Sequence, residues 1–215
     1  MIRKTHFDSI KCQTFIIIYY KMVNKLQENH ECPIDTFIFK LVDEQLDIFY
    51  KLGMTPNIIT TISIVFGLLA AYQIIQNRLW LAAIFWIIAY YFDCADGKFA
   101  RKYNMISKFG DLYDHFGDLF KVIAVFVALF YSNKKRTSVK QWFFISFIIF
   151  LGVIQVIHMG YQESIYNKKD ESPYLNIIRE LFVNEEKAEQ IICYTRHFGC
   201  GTWIVFVAVL ILLWR

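Results

Sequence analysis

The chain has 215 residues, 56% of them hydrophobic and 18% aromatic, with a net charge of +4, which suits a single domain. Its apolar residues come in blocks of about twenty, the length that spans a bilayer core, and a water-soluble domain would not group them so. The basic residues are scattered, which argues against a nucleic-acid surface. Its five cysteines form no C-x-x-C pair, so neither a disulfide framework nor a structural zinc site is supported.

In chain order, residues 1–31 read as an amino-terminal surface segment ahead of a membrane domain over 32–215. The apolar core of that segment, TFIIIYY, is short and is followed by Lys21 rather than by small residues, so it is not read as a cleavable leader. Residues 35–52 predict an amphipathic helix. Ile38, Leu41, Val42, Leu46 and Phe49 recur at helical spacing, with Lys40, Asp43, Glu44, Asp47 and Lys51 on the other faces. In a protein otherwise built for a membrane, such a helix lies in the interface. Gly53 stops it, Thr55 is placed to cap the next helix, and Pro56 to open it.

The first span is predicted over Asn57–Gln76, followed by a tight turn at Asn77-Arg78 and a second span from Leu79 to about Ala100. A basic loop over 101–108 leads to a third span, Gly110 to about Tyr131, and a second basic loop to a fourth, Trp142–Tyr161. Residues 163–197 are polar, with an amphipathic piece over 174–183, and a short last run covers Thr202–Trp214, beginning nearer Phe198 at the earliest. The fold expected is all-α: an integral membrane protein of five to six transmembrane helices preceded by an amphipathic interfacial helix. Five runs are apolar enough to count, and a sixth would have to come from the polar segment or the amino terminus. Arg101, Lys102 and Lys108 lie in one loop and Lys134, Lys135, Arg136 and Lys140 in the next, on opposite sides of the membrane, so the positive-inside count cancels.

Chemistry concentrates at the junction of the second and third spans. Asp93, Asp96, Gly97 and Ala100 stand at i, i+3, i+4 and i+7 and share one helix face. Gly110, Asp114 and Asp118, at i, i+4 and i+8, form a second stripe. The short connection favours antiparallel neighbours, so the stripes are expected to face each other across a narrow gap. Each Asp deep in a span costs about 2.5–3.5 kcal/mol, so four approach roughly 10 kcal/mol, less near the interface. Divalent cations would offset both that cost and the mutual repulsion, and all-oxygen donors suit Mg²⁺ or Mn²⁺. Two such ions, roughly 3.5–4 Å apart, clamp phosphoryl oxygens in a displacement. Arg101 and the nearby lysines would hold further phosphate charge.

Two other readings stand beside this one. Solvated interface residues would explain one aspartate better than four on matched stripes. A divalent-cation transporter is the rival from another class, since intramembrane acids mark such pathways, but transport does not account for the Gly-Lys-x-Ala-Arg surroundings. Cys94 points away from the shared face and is read as packing, and Asp111 as solvated or paired with Lys108.

The run Asp93-x-x-Asp96-Gly97-x-x-Ala100-Arg101, eight residues, then Gly110-x-x-x-Asp114-x-x-x-Asp118, resembles without a gap the signature of the CDP-alcohol phosphotransferases, or CDP-alcohol phosphatidyltransferases. Thr55-Pro56-Asn57 and the amphipathic helix before it are also similar to that family, and the resemblance reaches over roughly residues 33–160. It implies a transferase of phospholipid synthesis with Mg²⁺ or Mn²⁺, two ions, as cofactor. Its partners would be a CDP-linked lipid or CDP-alcohol and an alcohol acceptor, among membrane lipids. The alcohol would attack the phosphorus distal to cytidine, and CMP would leave. Carried onto this sequence, Asp93, Asp96 and Asp114 would be metal ligands, and Asp118 both a metal ligand and the catalytic base. Gly97, Ala100 and Arg101 would line the CDP site, with Gly110 packed closely there. A carboxylate beside a metal can take the proton that an attacking hydroxyl must lose.

Two signals conflict on the alcohol. DGK-x-AR and Asp114-His115 resemble the choline/ethanolamine phosphotransferases, in which diacylglycerol attacks CDP-choline or CDP-ethanolamine. FARK-x-N and S-x-FG resemble the phosphatidylinositol synthases, in which inositol attacks CDP-diacylglycerol. The reading leans to CDP-diacylglycerol and a polar alcohol. The resemblance alone implies a homodimer, and a multi-pass location in the endoplasmic reticulum if the source is eukaryotic. Gln155, His158, Gln162 and Glu163 make a polar stripe at the end of the fourth span, facing either the acceptor alcohol or a neighbouring helix and head groups.

Overall fold

A computed structural model describes residues 30–132, 138–166 and 183–214. The amino-terminal segment before residue 30, Lys134, Lys135 and Arg136 of the second basic loop, and all but the last residue of the piece expected over 174–183 lie outside the described residues.

Where one amphipathic helix is expected, there are two, α1 (Pro33–Asp43) and α2 (Leu46–Lys51). Between them the Gln45 N–H donates to the Val42 carbonyl at 2.9 Å, an i−3 bond that tightens the backbone. Val42 and Leu46 on either side are fully buried, while Asp43 and Asp47 each reach a lysine of the bundle. Anchoring both flanks to the bundle outweighs helix continuity.

The chain turns at Gly53, whose φ is 70°, and α3 (Pro56–Ile75) opens as expected, with Thr55 Oγ1 accepting from the Ile58 N–H at 3.4 Å and Pro56 in the first turn. Asn77, in the left-handed region at φ 59°, makes the turn into α4 (Leu79–Lys102), and α5 (Lys108–Ser132) follows. The next helix, α6 (Val139–Tyr166), extends past both ends of the apolar run that predicts it. α7 (Ala188–Thr195), a 3₁₀ turn over Arg196–Phe198 and α8 (Cys200–Leu213) complete the chain.

Among the described residues, five helical stretches are long and apolar enough to cross a membrane: Pro56–Ile75, Leu79–Lys102, Lys108–Ser132, Val139–Gln162 and Ala188–Leu213. With no strand among the described residues, the chain is an all-α, multi-pass membrane protein. The last span begins earlier than its apolar run suggests, because α7 continues toward α8 through the 3₁₀ turn.

The arrangement of α4 and α5 departs from expectation. They touch each other sparsely, and both pack along α3 instead. Thr60, Ser63, Gly67, Ala70 and Ile74 form a buried stripe on α3, mostly of small residues that let two helices approach closely. The aspartate stripes nevertheless face each other as expected, with carboxylate oxygens of Asp93 on α4 and of Asp114 and Asp118 on α5 within 4.8 Å of one another. Three indoles fix α8 against the rest: Trp86 in α4 donates to the Ile204 carbonyl at 3.1 Å, Trp203 to Ile148 in α6 at 3.2 Å, and Trp214 to Leu129 in α5 at 2.8 Å. Phe116, Leu119, Phe120, Ile123 and Val127 cover the exposed face of α5, as a lipid-facing surface requires.

Candidate active site

The carboxyl end of α4 and the start of α5 deliver all eight motif residues, Asp93 to Arg101 and Gly110 to Asp118, to the wall of one cavity of about 1140 Å³. That is just above the usual range of ligand-site volumes, roughly 300–1,000 Å³, and leaves room for a nucleotide together with a second substrate. One carboxylate oxygen from each of Asp93, Asp114 and Asp118 lies within 4.8 Å of the others. Asp96 stands apart from that trio. It is 4% exposed, and its Oδ2 accepts from Thr60 Oγ1 at 2.5 Å, which ties α3 to the motif.

The donors fit a hard divalent cation. They are all oxygens, and Asp114 Oδ1 is buried with no hydrogen-bond partner. An orphaned buried acceptor costs about 1–3 kcal/mol, which a bound cation would remove. Asp118 is 46% exposed, open to the cavity as a base must be. Gly97 lies beneath the Arg101 guanidinium, where a Cβ would come 3.4 Å from Nη1. At Gly110 a Cβ would sit 3.0 Å from Ser107 Oγ and 3.2 Å from Asn57 Oδ1, so the loop closes tightly on the start of α3.

The lysines expected to help bind phosphate do something else. Lys98 Nζ pairs with Asp43 and Lys102 Nζ with Asp47, both at 2.6 Å, so they latch α1 and α2 onto α4 while Arg101 lines the cavity. Asp111 is exposed, as the solvated reading expects, and His115 Nδ1 bonds its backbone carbonyl at 2.7 Å.

The sequence reading missed several contributors. Lys121, one turn beyond Asp118, is buried with its ammonium between Asp93 and Asp118; a lone lysine within the apolar run DLFKVIAVF was the available signal. Thr60 and Ser63 on α3 serve Asp96 and Lys121. At the amino-terminal side, Asp35 Oδ1 accepts from Tyr90 O–H at 2.5 Å, and burial pushes the Asp35 carboxyl up to about 6. Glu31 also lines the cavity, pushed up to about 7 by burial and by the neighbouring charge of Asp35.

From α6, Gln155, His158 and Gln162 also line the cavity, and the Glu163 side chain lies outside those described. Thr195 Oγ1 gives its proton to the Ile191 carbonyl at 3.1 Å, so it accepts from His158 Nδ1–H at 2.9 Å. That leaves His158 Nε2 as the acceptor for the Gln162 amide at 2.9 Å. The stripe thus serves both a neighbouring helix and the cavity.

The sequence profile described as CDP-alcohol phosphatidyltransferase matches residues 53–214, and so runs through α8, well past residue 160. An archaetidylinositol phosphate synthase from Pyrococcus horikoshii is 41% identical over 65 residues, covering 30% of this chain and 34% of that relative. The match thus spans about a third of the curated relative. No solved structure matches the chain.

Proposed function

Because the chain belongs to the CDP-alcohol phosphatidyltransferase family, we propose that it transfers a phosphatidyl-type group from a CDP-linked lipid to a hydroxyl acceptor, releasing CMP. The observation that carries this reading is the convergence of all eight motif residues on one cavity, with three carboxylates within 4.8 Å. The relative named a synthase of archaetidylinositol phosphate favours a CDP-lipid donor and an inositol-type acceptor over CDP-choline or CDP-ethanolamine.

In this reading Asp93, Asp96, Asp114 and Asp118 would hold Mg²⁺ or Mn²⁺, two ions, which would supply positive charge to the donor's pyrophosphate. Arg101, folded over Gly97, holds further phosphate charge. Asp118 takes the proton of the acceptor hydroxyl as the new O–P bond forms and the bond to the CMP oxygen breaks. Thr60 orients Asp96, and Gln155 and Gln162 face the acceptor alcohol.

The test is CMP release by the purified protein in detergent with Mn²⁺. CDP-diacylglycerol is offered with inositol phosphate, inositol, serine or glycerol phosphate, and diacylglycerol with CDP-choline or CDP-ethanolamine. One active pair, abolished by a chelator and by Asp118→Asn, is expected. Cation flux through liposomes with no CMP release from any pair would favour a transporter instead.

A further inference from the structure

Lys121 is housed more completely than its place in an apolar helix requires. An ammonium has three N–H bonds to give, and here three oxygens receive them: Asp93 Oδ1 at 2.5 Å, Asp118 Oδ1 at 2.7 Å and Ser63 Oγ at 2.7 Å. Ser63 gives its own proton to the Ala89 carbonyl at 2.9 Å, so its lone pairs are what it turns to the lysine. The aliphatic stem is accommodated as closely. A Cβ on Gly67, one turn beyond Ser63, would fall 2.6 Å from Lys121 Cγ and 3.0 Å from Cδ. With the residue 5% exposed, the charge is fixed in place rather than swinging in solvent.

We propose that Lys121 is a resident counter-ion of the carboxylate site. It holds Asp93 and Asp118 in position when no divalent ion is bound, and it competes with that ion for the same two carboxylates, thereby setting how tightly metal is held. The proposal rests on the metal reading above and deepens it. Lys121 does not hydrogen-bond Asp114, whose orphaned Oδ1 stays open to an ion. Two cations drawing on the same oxygens oppose each other, so the lysine weakens metal binding while stabilising the metal-free protein. Lys121 is in this sense a positioning residue.

A purely structural bridge between α3, α4 and α5 predicts a different sign. Its loss would loosen the site and weaken both stability and metal binding. Loss of a competing counter-ion lowers metal-free stability but tightens metal binding.

The experiment uses wild type and Lys121→Met, which keeps an unbranched apolar stem beside Gly67. Both are purified in detergent, stripped with a chelator and titrated with Mn²⁺. Free Mn²⁺ is read by electron paramagnetic resonance, and melting curves are taken with and without the ion. The variant is expected to bind Mn²⁺ about tenfold more tightly, to melt below wild type when metal-free, and to gain more from Mn²⁺. Wild type alone supplies a second measurement: chelation should leave it folded, with its melting temperature lowered by only a few degrees. Equal or weaker Mn²⁺ binding by Lys121→Met overturns the proposal, as does unfolding of wild type on chelation. Absence of Mn²⁺ binding in both proteins would overturn the metal reading itself, and the proposal with it.

Discussion

Asp43 Oδ2 and Lys98 Nζ are 2.6 Å apart, yet the partners occupy different media, the lysine side chain being 1% exposed and the aspartate 44%. The lysine otherwise has the Phe39 carbonyl at 3.3 Å and the Phe39 ring centroid at 5.0 Å. The pair should therefore break asymmetrically. Asp43→Ala strands a buried ammonium and is expected to cost about 2–3 kcal/mol, below the full penalty for a wholly buried pair. Lys98→Met leaves Asp43 to be hydrated and should cost under about 1 kcal/mol. Melting temperatures in detergent would order the two variants, and equal losses would contradict the asymmetry.

Thr60 and Asp96 make a second testable pair. Thr60→Val keeps the side-chain shape and removes the one hydroxyl that donates to Asp96 Oδ2. CMP release is expected to fall about 10–100-fold, as when the outer support of a ligand is removed. Thr60→Ser should restore most of it. Full activity in the valine variant would show that Asp96 needs no such support.

Asp35 and Glu31 give a pH dependence of known sign. Burial holds Asp35 at about 6 instead of 3.8, and Glu31 at about 7 instead of 4.5. A carboxyl held up in the folded state binds its proton more tightly there than in the unfolded chain. Its contribution to stability is thus complete below about pH 4 and is lost as pH rises through 6 to 7. For Asp35 the loss is about 3 kcal/mol at most. The melting temperature should fall from pH 5 to pH 8, and Asp35→Asn, which still accepts from Tyr90, should flatten much of that fall. An unchanged slope in the variant would remove Asp35 from the account.

The wall built from α6 makes a kinetic prediction. Gln162→Ala should raise KM for the acceptor alcohol about tenfold while leaving KM for the CDP-linked donor unchanged, because Gln162 belongs to α6 whereas the motif residues are carried by α4 and α5. A rise in KM for the donor would mean that α6 contacts the nucleotide or its lipid instead.

The motif was legible because a helix repeats every 3.6 residues. Once Asp93 and Asp96 fall within one turn, and Asp114 and Asp118 within another, their shared faces follow from the backbone alone. Partner choice was not legible in that way. Lys98 and Lys102 read as phosphate-binding charges, but Asp43 and Asp47 repeat their four-residue spacing on the amphipathic segment and capture both. Lys121 was passed over because one lysine scarcely alters the apolar character of a span, while its burial depends on Ser63 and Gly67, more than fifty residues earlier. The sparse packing of α4 on α5 depends in turn on α3, whose small residues let both neighbours pack closely against it, a property of packing invisible in their own periodicity.

Gly67 and Lys121 also restrict the order in which this sequence can change. While position 121 keeps its lysine, any side chain at position 67 collides with the stem, so the glycine is held there by a residue on another helix. Should the lysine shorten first, position 67 is released and can accept alanine. That second step closes the space the lysine once used, and a later return to lysine at 121 would meet a clash its ancestor never faced. Lineages that lose the buried charge are therefore expected to lose it for good, and the two positions to diverge together.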